Sequence, residues 1–283
     1  MSRARTTSAA IAAALLGACA SSSRSAPTKP ADASAGDPPI PSQCQTAVER
    51  ASKLGVLLVQ ESLLAEWAGD TARAAGLAGV EHLVAAITTR DSRGWVIHFV
   101  RRYQGDLTEP FQVTFVRPEA SAASLVRFDP PRPLDPETSF LLQVRETATD
   151  EGVRPCGHRY TVLMLPGEVA DEEGWVVYLI AIPERDGWVF GGQVRHVVNG
   201  DARYVLTTEP LTRGCAVMPE ATPRPRMGNG TRPCPSEVDV WQSTLHRKPF
   251  EIDTDVGLWE VNGPRIRFLR PPRVYQKAAP RPG

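Results

Sequence analysis

GWVVYLIAIP, residues 174–183, opens on a glycine that allows a turn and a β-prone aromatic that starts a strand, followed by a run of β-branched and apolar residues. GWVIHFVRRY from Gly94 and GWVFGGQVRHVV from Gly187 follow the same grammar. Their spacing is irregular and their later residues diverge, which marks shared turn-to-strand chemistry and not an internal repeat. Further strands are expected at 111–117, 160–165 and 203–208. The runs after Tyr160 are joined by short loops without crossover helices, so the sheet should be mainly antiparallel.

Helices lie around these strands. Ser42 and Gln45 fit a capping box, and Ala47, Val48, Ala51, Leu54, Gly55 and Leu58 recur at helical spacing. An amphipathic helix therefore begins near Gln43, and its end is expected before Gly69-Asp70. A weaker helical pattern, interrupted by Gly76 and Gly79, sets Val80, Leu83, Val84 and Ile87 on one face. Asp135-Pro136-Glu137 combines an N-cap, a first-turn proline and an acid near the positive helix end, ahead of the apolar face Phe140, Leu141, Val144 and Ala148. After Cys215 a Pro- and Gly-rich loop runs to Glu237, and residues 239–269 read as a short helix or turn followed by two or three strands. The expectation is an α+β fold, with N-terminal helices and a mainly antiparallel β-sheet, in a single domain over residues 43–270.

With 42% hydrophobic and 23% charged residues the chain can build a real core, while its 26 prolines must crowd into loops and tails. Its 32 basic residues balance 32 acidic ones. No net field draws nucleic acid, so no nucleic-acid partner is expected.

Arg3 and Arg5 precede an apolar run from Ala9 to Leu16 that is too short for a permanent span, which needs about 20 residues. The stretch Leu16-Gly17-Ala18-Cys19 resembles the lipobox of bacterial lipoproteins, with Gly17 in place of the more usual Ala or Ser. The resemblance implies a signal peptide over 1–18, removal of that segment, acylation of Cys19 with palmitate-class chains, and a membrane partner reached through that anchor. At about 0.8 kcal/mol per buried methylene, two or three chains anchor a protein lastingly. Ala20, where the retention signal would place Asp, implies the outer membrane of the bacterial cell envelope, facing the periplasm. Residues 20–42 hold one large apolar residue, Ile40, and read as a disordered linker; residues 271–283 read as a disordered basic tail.

Cys44, Cys156, Cys215 and Cys234 remain, an even number without C-x-x-C spacing in a chain expected to be exported, which favours disulfides over free thiols or zinc. Of three connectivities, the expected one joins Cys215 to Cys234, closing the Pro-rich loop for roughly 3 kcal/mol, and Cys44 to Cys156. The succession GWVVYLIAIP, GGQVRHVV, TTEPLTRGC and HRKPFEIDTDVGLWEV resembles a group of bacterial proteins with no assigned function, over most of residues 44–269. No site, cofactor or activity carries over from it.

Chemistry is harder to find. A G-x-S-x-G elbow, H-E-x-x-H, a phosphate loop and a dinucleotide fingerprint are all missing, so no catalytic residue, metal ligand or cofactor is assigned. Gly191-Gly192 inside a strand pattern signals a bulge or a close backbone approach. Alternation puts His196 on one face with Trp188, Phe190, Val194 and Val198, and Gln193 and Arg195 on the other. His196 is a weak ligand or base candidate against a core role, and His158 beside Cys156 is another. Glu251, Asp253 and Asp255 alternate along one strand face and read as a solvated edge resisting strand pairing, not a calcium site. Trp175, Trp241 and Trp259 read as packing residues. The function expected is that of a membrane-tethered envelope lipoprotein with a non-enzymatic binding or assembly role toward another envelope protein. The alternatives are an envelope hydrolase using a sheet-borne histidine and a binder of small ligands in a cavity under the sheet.

Overall fold

The computed structural model describes residues 38–272 apart from 78–81, 93, 118–122, 153–155, 157–158, 183–186, 213, 220 and 229–231. In chain order these residues form α1 (Gln45–Ala74), β1 (Ala85–Asp91), β2 (Gly94–Tyr103), β3 (Asp106–Phe115), β4 (Ala123–Pro133) and α2 (Pro136–Asp150). They continue with β5 (Arg159–Pro166), β6 (Trp175–Ile182), β7 (Trp188–Gly191), β8 (Val194–Val198), β9 (Val205–Pro210) and β10 (Cys215–Met218). The chain closes with β11 (Arg226–Gly228), α3 (Glu237–Leu245), β12 (Phe250–Thr254), β13 (Gly257–Asn262) and β14 (Arg265–Arg270). The protein is α+β.

Its strands divide among three four-stranded sheets, ordered β1-β2-β3-β4, β5-β6-β8-β9 and β11-β12-β13-β14, and a β7-β10 ribbon. Every described pair is antiparallel except β11 with β12. Strand alternation decides what each face meets. In β2, Ile97 and Phe99 point to one side, where with Phe111, Val113 and Phe115 they receive Leu64, Ala68 and Ala72 of α1. Leu54 and Leu58, two turns earlier on the same helix, cover Leu163, Leu165, Tyr178 and Ile180 of the second sheet. The opposite faces of both sheets meet α2: Leu141 and Leu142 pack on Ala85, Ile87 and Val100, while Val144 and Ala148 pack on Val177 and Val198. Two helices thus clamp two sheets side by side. Each fully buried leucine or phenylalanine contributes about 1.5–3 kcal/mol. The third sheet packs with the ribbon and the first turns of α1 around Phe190, Phe250 and Trp259.

Several expectations are corrected. α1 runs on through Gly69-Asp70, because its stripe still has Ala68 and Ala72 to bury. The weaker helical pattern fails at Ile87, which sits in β1 opposite His98; a short apolar run fits either period, and the exposed ladder of β2 selects the strand. Val80 lies outside the described residues. The ninth strand begins at Val205 because Asn199 Oδ1 accepts from the amides of Arg203 and Tyr204 at 2.8 and 3.0 Å, holding both in a turn. The expected shared face of Trp188, Phe190, Val194, His196 and Val198 does not exist. Gly191 and Gly192 take φ values of 104° and 70°, so the chain leaves the ribbon and enters a different sheet between them.

Both disulfides differ from the expected pairing. Cys44 bonds Cys234 across Cα atoms 5.7 Å apart, and Cys156 bonds Cys215 at 5.5 Å. The start of α1 packs beside the start of α3, which brings Cys44 to Cys234. Cys215 stands opposite Gly191 in the ribbon, and a Cβ on Gly192 would strike the Cys156 sulfur. Here tertiary adjacency outweighed nearness in sequence, and the Pro-rich stretch contributes β11 to a sheet instead of closing on itself.

Candidate functional site

β1 and β5 are edge strands of the two clamped sheets, and residues of both line the same cavities between them. Among the described residues no backbone hydrogen bond joins them. The space between is a groove of two lobes. One, of about 520 Å³, is lined by Glu61, Thr88, Thr89, Trp175 and the 164–166 end of β5. The other, of about 470 Å³, is lined by Arg145, Ala85, Tyr160 and Trp241; Ala65, Ala86, Val162 and Leu163 belong to both. The first lobe takes the late residues of both strands and the second takes the early residues of both, so β1 and β5 run in the same direction along the groove. α1 forms one wall, and α2 supplies Glu137, Leu141 and Arg145 to the other.

Glu61 occupies the apolar stripe of α1, three residues past Leu58. Burial pushes its carboxyl up to about 7, against a hydrogen bond from the Thr88 hydroxyl that pulls it down. On the opposite wall burial lowers the Arg145 guanidinium, with only the adjacent Glu146 opposing. Among the described residues neither group forms an ion pair. Both side chains are half-buried and reach the groove, so it presents a carboxyl on one wall and a guanidinium on the other.

Behind the β1 wall lies a hydrogen-bonded series. Thr89 Oγ1 is 2.9 Å from His98 Nε2, and His98 Nδ1 is 2.8 Å from Glu109 Oε1. Arg132 Nε donates to Glu109 Oε2 at 2.7 Å, and its Nη2 donates to Gln112 at 2.9 Å. With Nδ1 donating to the carboxylate, Nε2 accepts from the threonine hydroxyl. The ligand atoms of His98, Glu109 and Asp135 also lie within 4.8 Å of one another. Those atoms are already engaged: Glu109 holds a permanent cation, and Asp135 caps α2 through the Thr138 amide and hydroxyl at 2.9 and 2.7 Å. Burial would raise the Asp135 carboxyl, yet the Thr138 hydrogen bonds outweigh it and hold the group below its usual range.

A second buried network fastens the α1 face of the β5 sheet to its neighbours. Tyr178 donates to Glu237 at 2.9 Å, and Arg195 reaches Glu172 at 2.6 Å and Glu237 at 3.6 Å. Arg50 adds a bond to Glu172 at 2.9 Å, and Arg232 pairs with Glu209. Three guanidinium groups meet three carboxylates, so the charges of the cluster balance within it.

Of the residues singled out in the sequence, Trp175 and Trp241 reach the groove. Cys19 and His158 fall outside the described residues. His196 is fully buried, with Nδ1 2.9 Å from Thr208 and Nε2 without a hydrogen-bond partner among the described residues; burial lowers its pKa. Asp253 pairs with Arg226 on β11, so the strand bearing Glu251 and Asp253 is interior to its sheet, and the expected solvated edge is corrected. Trp259 donates to Thr254 in the core, whereas Trp175 lines the first lobe of the groove and Trp241, which donates to Ser62, lines the second. Comparison with family models, curated proteins and solved structures finds no match.

Sequence reasoning missed Glu61, Arg145 and the series through His98. A signal existed for Glu61, because continuing the stripe from Leu54 and Leu58 places a carboxylate where an apolar residue belongs. For Thr89, His98 and Glu109 the signal lay only in strand register.

Proposed function

We propose that this chain is an exported lipoprotein, tethered through Cys19 to the cell envelope, whose domain binds a ligand without catalysis in the groove between β1 and β5. The observation that carries the binding role is Glu61, a carboxyl kept without a charged partner on the wall of an open, largely apolar cavity of about 520 Å³. The reading of export draws support from the opening sequence and from two disulfides, which persist in oxidising compartments. Among the described residues no helix is long and apolar enough to cross a membrane.

The test is titration of the apolar fluorophore 8-anilinonaphthalene-1-sulfonate into the otherwise full chain carrying Cys19→Ala. Saturable one-site binding that weakens at least tenfold when Ala65→Trp fills the groove supports the reading. Binding indifferent to that substitution overturns it. Radiolabelled palmitate should enter the wild-type protein in cells and spare Cys19→Ala.

A second reading, a hydrolase, is favoured by one observation: Thr89 lines the same cavity, with His98 and Glu109 in line behind it. Turnover of p-nitrophenyl butyrate, lost in Thr89→Val and His98→Gln, is its expected signature. Equal turnover in all three proteins would end it.

A further inference from the structure

We propose, resting on the groove as a binding site, that its occupant is an extended polypeptide segment entering as a ninth strand between β1 and β5, with a basic side chain at Glu61 and an acidic one at Arg145. The two flanking sheets have four strands each, and the strands that end them run the same way. One inserted strand can therefore be antiparallel to both edges at once and close two ladders. Edge strands ordinarily carry charge, proline or a bulge against such pairing. Here charge and proline sit only at the strand ends, Arg90 and Asp91 on β1 and Arg159 and Pro166 on β5, while residues 85–89 and 160–165 between them hold neither, and their register with β2 and β6 is unbroken. What keeps the edges from casual pairing is the pair of helices lying across both sheets, α1 on one face and α2 on the other.

The same helices set the sequence preference. Side chains of an inserted strand alternate between the α1 wall and the α2 wall. Glu61 stands on the first and Arg145 on the second, so the basic and acidic residues of the ligand must be an odd number of positions apart. The middle of the groove, where the two lobes meet, offers Ala65, Ala86, Val162 and Leu163 as apolar ground, and Arg90, Glu137 and Glu66 add further charge to the lining. The lining spans residues 85–90 of β1 and 160–166 of β5, so an extended segment of about six residues matches its length.

The experiment pans a displayed library of random ten-residue peptides against the otherwise full chain carrying Cys19→Ala, with the groove-filled Ala65→Trp variant as counter-selection. Val162→Trp serves if Ala65→Trp lowers the melting temperature. Enriched peptides should alternate, avoid proline, and carry Lys or Arg an odd number of places from Asp or Glu. N-methylating alternate backbone amides, with every side chain kept, should weaken them at least thirtyfold, and bound peptide should slow amide exchange in both β1 and β5. In Glu61→Gln the preference for a basic residue should vanish while the alternation persists. Enrichment equal to that on the filled variant, or affinity indifferent to N-methylation, would overturn the inserted strand. If the fluorophore still binds the groove in that case, the binding reading survives alone; if it does not, both readings fall.

Discussion

At Glu61 stability and binding pull in opposite directions. Its carboxyl titrates near 4.5 in the unfolded chain and near 7 in the folded one, so between those values the folded state keeps a proton the unfolded state has lost. The contribution is complete below about pH 4.5 and is lost as pH rises through about 7. Glu61→Gln should therefore be more stable than wild type at pH 8, by about 1–2 kcal/mol in urea unfolding, and equal to it at pH 4. Asp239, pushed up to about 6 by burial despite its capping bonds to Ser236, acts with the same sign and persists in the variant. Glu172 has the opposite sign: burial would raise it, yet the hydrogen bonds from Arg195 and Arg50 hold it low, so its support is present above the ordinary carboxylate range and fades on acidification. Arg195→Met should cost about 3–5 kcal/mol, because Glu237 and Glu172 lose the cation between them. Urea midpoints at pH 7 check it.

Among the elements, α1 is one of the two helices that underlie both sheets and wall the groove. Its fit against α3 depends on Gly55, where a Cβ would come within 2.4 Å of the Val240 Cβ and 2.8 Å of the Glu237 carbonyl. Gly55→Ala should destabilise the protein by about 1–3 kcal/mol although alanine favours helix, and a lowered melting temperature with unchanged secondary structure is the readout. The periodicity of residues 47–58 announced this helix and placed Gly55 on its packed face. Its length was not announced, because glycine and aspartate at 69 and 70 are locally poor helix formers and only sheet burial of Ala68 and Ala72 overrides them. Strand starts at Gly94, Trp175 and Trp188 were likewise legible, since turn glycines act locally. The helix expected around Ile87 was not excluded locally, because a short apolar run satisfies two periods until a neighbouring strand is present.

For the whole molecule, the disulfides connect what the sheets leave separate. In the chain-entropy model Cys44–Cys234, separated by 190 residues, and Cys156–Cys215, separated by 59, are each worth about 4–5 kcal/mol when closed singly. Cys44→Ser with Cys234→Ser should lower the urea midpoint while leaving fluorophore binding at the distant groove intact below the transition. The sequence by itself determined the fold class, the capped start of α2, the turn-led strands and the expectation of an anchored, exported chain, because each rests on residues within a few positions of one another. Only the tertiary structure decided the cysteine partners, the division of the strands into separate sheets and the groove with Glu61 and Arg145 on facing walls. Those depend on which distant surfaces bury each other, and a pattern along the chain does not carry that information.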